Sequence, residues 1–552
     1  MPFIGVIKNT MSARERAVFF GALIVLALSL IIRGVMLVRE NSIFVPVRGG
    51  SYIEGVAGQP TLINPAVSQN PVDLDISALV YSPLSDLIAN TEVQPDGKTY
   101  AVKLKEHLVW DDGTPLTSDD VIFTVQTIQG PDSNSPAAKN WQGVTIERVS
   151  ELHINFTLPD PFSFFPDVLK RTRVVPKHIF GNIPVENYRL SDYSLEPVGN
   201  GPYKVVSFKK QKDGFITEYH LVPNSRYAGQ TPYISDFYFR FYQTENDLTD
   251  AFLARKVHGI GSITPFTVNS SAASSSNPLG DLLTETSRIK IDVLPMPRYY
   301  AIFINQASDP ALKSLSVRRA LDLAIDKTKL VSLFGEGNAA PISNPLVVNP
   351  LDFSTSTSGV EDSGAYDPDT ARNLLAAAGA QNMKLTITVP DVPILASAVD
   401  FVKRAWVSAG VGEVTINTVD TSAVIEDAIQ SRDFELLLFG NILENPLDLF
   451  PFWHSSQRMS PKLNITSYQN TEVDRLIENV RKATDKNEQL RMTSQAAARI
   501  QNDEPAIFLF ALPYFYAHTD KLSGIGTDAV AMPSNRFQNI VDWSVLKARA
   551  LR

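Results

Sequence analysis

The chain has 552 residues, more than one hydrophobic core normally supports, so two or three lobes with grooves between them are expected. It contains no cysteine, which excludes disulfides, thiolate-held metal centres and a lipid-modified cysteine anchor. Residues 1–39 carry five basic side chains and one acidic, so the formal −9 of the chain becomes −13 over residues 40–552; a body that acidic is not a nucleic-acid binder.

The first element is AVFFGALIVLALSLII at 17–32, continuing past Arg33 to residue 38. At about 1.5 Å per residue this run matches a bilayer core of roughly 30 Å, so a transmembrane anchor is expected over 17–38. Lys8, Arg14 and Arg16 precede it against Glu15 alone, which places residues 1–16 in the cytoplasm and the body outside. A cleaved signal peptide shares these features, but no small-x-small cleavage site follows the run. Residues 39–51 are expected to be a polar linker.

Strands come next. TYAVKL (99–104) alternates Tyr100, Val102 and Leu104 on one side, VTIERVSELHINFTL (144–158) predicts a hairpin, and PYKVVSF, FITEYHLV and ISDFYFRFY follow between 202 and 242. Between them stands WDDGTPLTSDDVIFTVQTI (110–128), with Asp111, Asp112, Asp119 and Asp120. Asp-Asp-Gly-Thr-Pro is turn chemistry, and Thr117 with Asp120 predicts a capping box ahead of Val121, Ile122, Val125 and Ile128 at helical spacing. The spacing does not fit a calcium loop, so these aspartates are expected to be structural.

From about residue 314 helices alternate with short apolar strands. Arg318 and Arg319 read as a solvated or lobe-bridging face, Asp326 as a cap and Gly335 as a helix end. Asp367 and Pro368 open a helix that Gly379 closes, followed by the strands KLTITV (384–389), EVTINTV (413–419) and FELLLFG (434–440), with a short helix near 423–430. This alternation predicts a mainly parallel sheet covered by helices. Thr471 with Asp474 predicts a capping box, a second helix runs over about 487–501, and 505–519 reads as one strand returning to the first lobe. Ser- and Asn-rich stretches at 269–277 and 354–363 are expected to be surface loops.

DGTPLTSDDVIFTVQ (112–126), GNGPYKVVSF (199–208), FIN (303–305) with SVRRALDLAIDKTKLV (316–331), YDPDTARNLLAAAG (366–379) and NITSYQNTEVDRLI (464–477) occur in one order over roughly residues 50–520. Together they resemble the extracytoplasmic solute-binding proteins of the dipeptide/oligopeptide class, family 5, which serve ABC importers. The resemblance implies an α/β, bilobed, periplasmic-binding-protein-like clamp with an inserted strand-rich domain. Applied to this chain it places lobe I at 52–82, 197–297 and 508–552, the inserted domain at 83–196 and the α/β lobe II at 298–507.

The resemblance also suggests ligand-binding residues. In peptide binders of this family an acid after the FELLLFG-type strand holds the ligand's α-amino group; here FELLLFGNILENPLDLF places Glu444 there when aligned from the left and Ile442 when aligned from the right. Arg298 in PMPRYYAIFIN is a candidate partner for a ligand carboxylate, and alternation puts only one of Tyr299 and Tyr300 on the cleft side, taken here as Tyr300. Asn441 stands where the family often carries Trp, which suggests a wider or more polar pocket. LVYSPLSDL (79–87) departs from the family's usual Tyr-Glu-Gly-Leu.

The function expected is a membrane-anchored, monomeric receptor for peptides or another small solute, handing its ligand to an ABC permease and ATPase, with no cofactor or metal. Relatives with the fold also carry metal chelates, sugars or opines. A sensor or chaperone using the same clamp is a further alternative. An exported hydrolase is the least favoured, since there is no G-x-S-x-G, HExxH or P-loop and the seven histidines lack ligand spacing.

Overall fold

An apolar helix, Ala13–Glu40, precedes the body of the protein. The computed structural model describes residues 12–261, 288–334, 338–347, 366–420, 424, 430–527 and 529–551. Ser12 caps the helix reciprocally with Glu15, and the stretch Ala17–Leu37 is long and apolar enough to cross a membrane, with none of it buried against the body. Gly335, most of the helix expected near 423–430, and the loops at 269–277 and 354–363 lie outside the described residues.

Residues 39–51 are not simply a linker. They contain the strand Ser42–Val47, which pairs antiparallel with the strand Leu546–Leu551 from the other end of the chain. Pro46 and the following Gly49 and Gly50 obscure that strand in the sequence.

The first large sheet has seven strands in the order Ile289–Leu294, Tyr514–Thr519, Gly259–Ile260, Ser51–Ala57, Asp236–Tyr242, Ile216–Pro223 and Tyr203–Lys210. It draws on the beginning, middle and end of the chain. A separate four-stranded sheet is built from Ile88–Val93, Thr99–Leu104, His153–Thr157 and Thr145–Arg148, with Tyr100, Val102 and Leu104 buried on one face as alternation requires. The helix Ser118–Gln129 carries the expected box: Thr117 N–H donates to Asp120 Oδ2 at 2.9 Å, and Thr117 Oγ1 accepts from Asp119 N–H at 3.3 Å. Asp112 accepts from Thr114 N–H at 2.8 Å, and Asp119 lies 3.2 Å from Arg148.

The second large sheet has six strands in the order Ala340–Pro341, Ala506–Ala511, Arg298–Ile304, Leu436–Ile442, Lys384–Pro390 and Glu413–Val419. Lys384–Pro390 runs parallel to both Glu413–Val419 and Leu436–Ile442, but the other three pairings are antiparallel, so the sheet is mixed rather than mainly parallel as the helix–strand alternation suggested. Arg298–Ile304 is antiparallel on both sides, because the chain enters and leaves this sheet at the same end. The stretch 505–519 is therefore two strands: Ala506–Ala511 completes the second sheet, Tyr514–Thr519 joins the first, and the change of sheet falls at 512–513 rather than at 507/508.

Two local readings change. Arg318 is buried, not solvated: Nε donates to Glu504 O at 2.8 Å and Nη2 to Asp503 O at 2.8 Å, so the guanidinium caps the carbonyl end of the helix Lys486–Asp503. Asn470 rather than Thr471 caps the helix Thr471–Lys482, which frees Asp474 to accept from Ser455 N–H at 2.8 Å. Asp367, Pro368 and Asp326 hold their expected capping positions, and Gly379 is left-handed with φ 65°.

The first sheet is tied by a buried charge network. Arg536 donates from Nη1 and Nη2 to the two oxygens of Asp75, on the helix Pro71–Val80, at 2.9 and 2.6 Å. Nε and Nη2 reach Glu54 Oε1 at 3.0 and 2.9 Å, and the Tyr516 hydroxyl donates to the other Glu54 oxygen. Burial raises the Glu54 carboxyl and Arg536 opposes that rise. Removing the guanidinium strands two buried carboxylates, so Arg536→Met is expected to lower stability by about 3–5 kcal/mol in urea denaturation.

Glu504 supplies a pH dependence. Burial and the neighbouring Asp322 carboxylate push its carboxyl from 4.5 up to about 8, with Lys327 opposing. A folded-state value above the unfolded one means this stabilisation is complete below 4.5 and is lost as pH rises through about 8. Wild-type Tm should therefore fall between pH 5 and 8.5, and Glu504→Gln should fall less, by on the order of 1 kcal/mol or more across that span. Calorimetry at the two pH values checks it; equal slopes refute the assignment.

Candidate functional site

Among the described residues the chain passes between the large sheets at two adjacent places. Pro295, Met296 and Pro297 join Ile289–Leu294 to Arg298–Ile304, and Leu512 and Pro513 join Ala506–Ala511 to Tyr514–Thr519. The connected strands are paired on both sides, Leu294 with Tyr514 and Tyr299 with Ala511. Three prolines with fixed φ and no N–H confine the bend to a few residues between rigid ladders. Two short parallel connections of this kind make a hinge.

The candidate residues stand on the second sheet at the end nearest this hinge. Arg298 lies opposite Ile442, Tyr299 opposite Asn441 and Tyr300 opposite Gly440. Leu443 N–H donates to Pro297 O at 2.8 Å, which fastens the loop after Leu436–Ile442 to the hinge itself. Alternation then separates the residues. Arg298 and Tyr300 share one face, the guanidinium carbon 5.2 Å from the ring centre, and Tyr300 stacks on Phe510 at 4.9 Å. Arg298 Nε is buried with no hydrogen-bond partner among the described residues.

Tyr299 is turned the other way and fully buried. Its hydroxyl accepts from Asn441 Nδ2 at 3.0 Å and from Trp453 Nε1 at 3.2 Å. The Asn441 amide is thus engaged in the aromatic core beneath the strand pair.

Glu444 faces the inserted sheet's side. Its carboxylate lies 2.9 Å from Arg171 Nη2 and accepts from Asn140 Nδ2 at 3.3 Å, while the next residue, Asn445, donates to Asp167 Oδ2 at 2.7 Å. The Glu444 side chain is still 57% exposed, so oxygen lone pairs face solvent. Beside this contact a cavity of about 590 Å³ is lined by residues that include Asn140, Phe162, Phe450, His454 and Arg481. Sequence reasoning missed Asn140, Asp167 and Arg171. Nothing local marks them, because their partners lie roughly 300 positions away along the chain.

Residues 82–460 match the family model of the bacterial extracellular solute-binding proteins, family 5 Middle. The chain belongs to this family. It is a solute receptor of the ABC-importer class, extracytoplasmic and not an enzyme. It is 26% identical over 540 residues to the oligopeptide-binding protein AppA of Bacillus subtilis, covering 91% of this chain and 93% of that protein. The fold matches the ABC transporter substrate-binding protein CtaP of Listeria monocytogenes with a TM-score of 0.76 at 26% identity, over 90% of this chain and 99% of that one. It also matches AppA of B. subtilis in complex with a nonapeptide (0.70, 23%, 91% and 100%) and NikZ of Campylobacter jejuni in complex with Ni(L-His) (0.70, 21%, 90% and 99%).

For this family 5 receptor, the aromatic wall at the hinge depends on a glycine. A Cβ on Gly440 would stand 2.7 Å from the Tyr300 ring, inside contact distance. Gly440→Ala should displace Tyr300 from its stack on Phe510 and cost about 1–3 kcal/mol, read as a fall in Tm. Tyr300→Ala in the same background should relieve part of that loss.

Proposed function

We propose that this receptor is anchored in the membrane by Ala13–Glu40, captures peptides as a monomer at the hinge end of its second sheet, and presents the closed form to an ABC permease and ATPase. One observation carries the ligand class. A cationic group and an acidic group stand together at the hinge end of one strand pair: Arg298, with an Nε that has no hydrogen-bond partner among the described residues and lies beside Tyr300, and Glu444 two residues past Ile442, which Arg298 faces. A peptide offers complementary ends, a carboxylate for Arg298 and an ammonium for Glu444. The nonapeptide held by AppA supports this reading. Asn441 contributes indirectly, by fixing the strand end through Tyr299. The lobes run over 52–82, 197–297 and 514–551 for the first, 83–196 for the inserted domain and 298–511 for the second.

Ligand closes such a clamp only through its greater affinity for the closed state. Glu444 already reaches Arg171 and Asn140 across the lobes, so an incoming ammonium joins a carboxylate that also holds the lobes together. A second reading, a metal chelate or other non-peptide solute, is favoured by NikZ, which has the same fold and holds Ni(L-His).

Native mass spectrometry of the detergent-solubilised full chain tests the ligand class. A ladder of peptide masses is expected; a single non-peptide mass selects the second reading. In titration calorimetry Glu444→Gln should weaken peptides with a free α-amino group about tenfold, or ~1.4 kcal/mol, and leave N-acetylated peptides unchanged. Unchanged binding of free peptides removes Glu444 from the site.

A further inference from the structure

The ribbon formed by Ser42–Val47 and Leu546–Leu551 belongs to none of the three larger sheets. Its register divides it into two unlike faces. Ile43 opposes Ala550, Val45 opposes Ala548 and Val47 opposes Leu546, so one face is wholly apolar. Phe44 opposes Arg549 and Pro46 opposes Lys547, and the Arg549 guanidinium carbon lies 5.0 Å from the Phe44 ring centre, which places both cations on the other face.

The apolar face is partly open: Ile43, Val47 and Leu546 are 41%, 37% and 44% exposed and Ala548 is exposed, while Val45 and Ala550 are half-buried; on the other face Phe44 is 64% exposed beside Arg549. A two-stranded ribbon without a packing partner is marginal in water, so this one requires a surface against its apolar side. The anchor says which surface. Helix Ala13–Glu40 ends one residue before the strand begins, and Asn41 closes it with both its backbone and side-chain N–H groups on Leu37 O. The apolar stretch ends at Leu37 and the strand begins at Ser42, so a spanning helix starts the ribbon at the bilayer edge, and at roughly 3.3 Å per residue its six residues reach about 20 Å. Arg39, next to Glu40 at the end of the helix, and Arg48 flank the strand at its two ends, and Arg48 is a cation on a body whose net charge is negative.

At its far end the ribbon meets the body through Gly49 and Gly50, with φ 126° and 79°. A Cβ on Gly50 would stand 2.7 Å from Val545 and one on Gly49 3.2 Å from Leu546, so the joint exists because both residues lack one. The turn carries the chain from the ribbon directly into strand Ser51–Ala57 of the first sheet.

We propose that this ribbon lies with Ile43, Val45, Val47, Leu546, Ala548 and Ala550 in the headgroup layer of the bilayer that Ala13–Glu40 crosses, and so orients the clamp on the membrane. Arg39 and Arg48 meet lipid phosphates, and Lys547 and Arg549 remain on the wet face. The inference rests on the reading of Ala13–Glu40 as an uncleaved anchor. It goes beyond tethering, since a plain linker would leave the clamp free to tumble.

The chain has no cysteine, so single cysteines report one position at a time. Ile43→Cys, Ala548→Cys, Lys547→Cys and, in the middle of the helix, Leu28→Cys are each introduced into the full chain. Each is labelled with an environment-sensitive fluorophore and reconstituted into phosphatidylcholine–phosphatidylglycerol vesicles containing nitroxide lipids. The expected result is deep quenching at Leu28→Cys. Shallow quenching is expected at Ile43→Cys and Ala548→Cys, roughly 5–10 Å into the interface and at least about threefold stronger than at Lys547→Cys. If Leu28→Cys is quenched and the three ribbon positions are equally water-exposed, the anchor stands and the ribbon proposal fails. A blue-shifted but unquenched label at Ile43→Cys and Ala548→Cys means protein, such as a second copy, covers the face, and this also overturns the proposal. If Leu28→Cys is unquenched too, the anchor reading is wrong and the ribbon proposal falls with it.

Discussion

A buried guanidinium holds the first lobe together. Arg536 arrives near the end of the chain, Glu54 near the beginning of the body and Asp75 on the next helix, and none of the three side chains has water to neutralise it. Two carboxylates in such a place are tolerable only with a cation between them. Tyr516, on the strand just past the hinge, joins the same cluster through Glu54 and the Tyr52 hydroxyl. The charge network therefore fixes the base from which the hinge strands emerge, and the second lobe is carried on that base.

From the base outward the logic is mechanical. Two strand pairs lead to two short proline-containing connections, and the second sheet begins at once with Arg298. Residues placed there sit at the pivot end of the second sheet, where a hinge rotation would displace them least. Glu444 adds a contact across the lobes to the inserted sheet's side through Arg171 and Asn140. One partly exposed carboxylate thus ties the loop after Leu436–Ile442 to the inserted sheet's side.

Much of this was legible locally. Capping at Thr117, Asp326 and Asp367 was readable because an N-cap needs only residues three or four positions apart. Burial of Tyr100, Val102 and Leu104 follows from alternation alone. The errors have a common form. Arg318 looked like surface charge because the carbonyls it caps are about 185 residues away, and 505–519 looked like one strand because its apolar run continues through a change of sheet. The strand Ser42–Val47 was missed because its partner is at the far end of the chain.

By itself the sequence determined the family, the apolar N-terminal helix, the α/β character of the second half and the structural role of the Asp111–Asp120 cluster. Each depends on the order of residues or on contacts within a turn. Only the tertiary structure decided that Asn441 faces the core while Arg298 and Tyr300 share the other face, that Glu444 is paired with Arg171, and that Ser42–Val47 and Leu546–Leu551 form one ribbon beside the apolar helix. The physical reason is distance along the chain. Side-chain direction on a paired strand and the partner of a charge are set by register between segments hundreds of residues apart, and no local pattern carries that information.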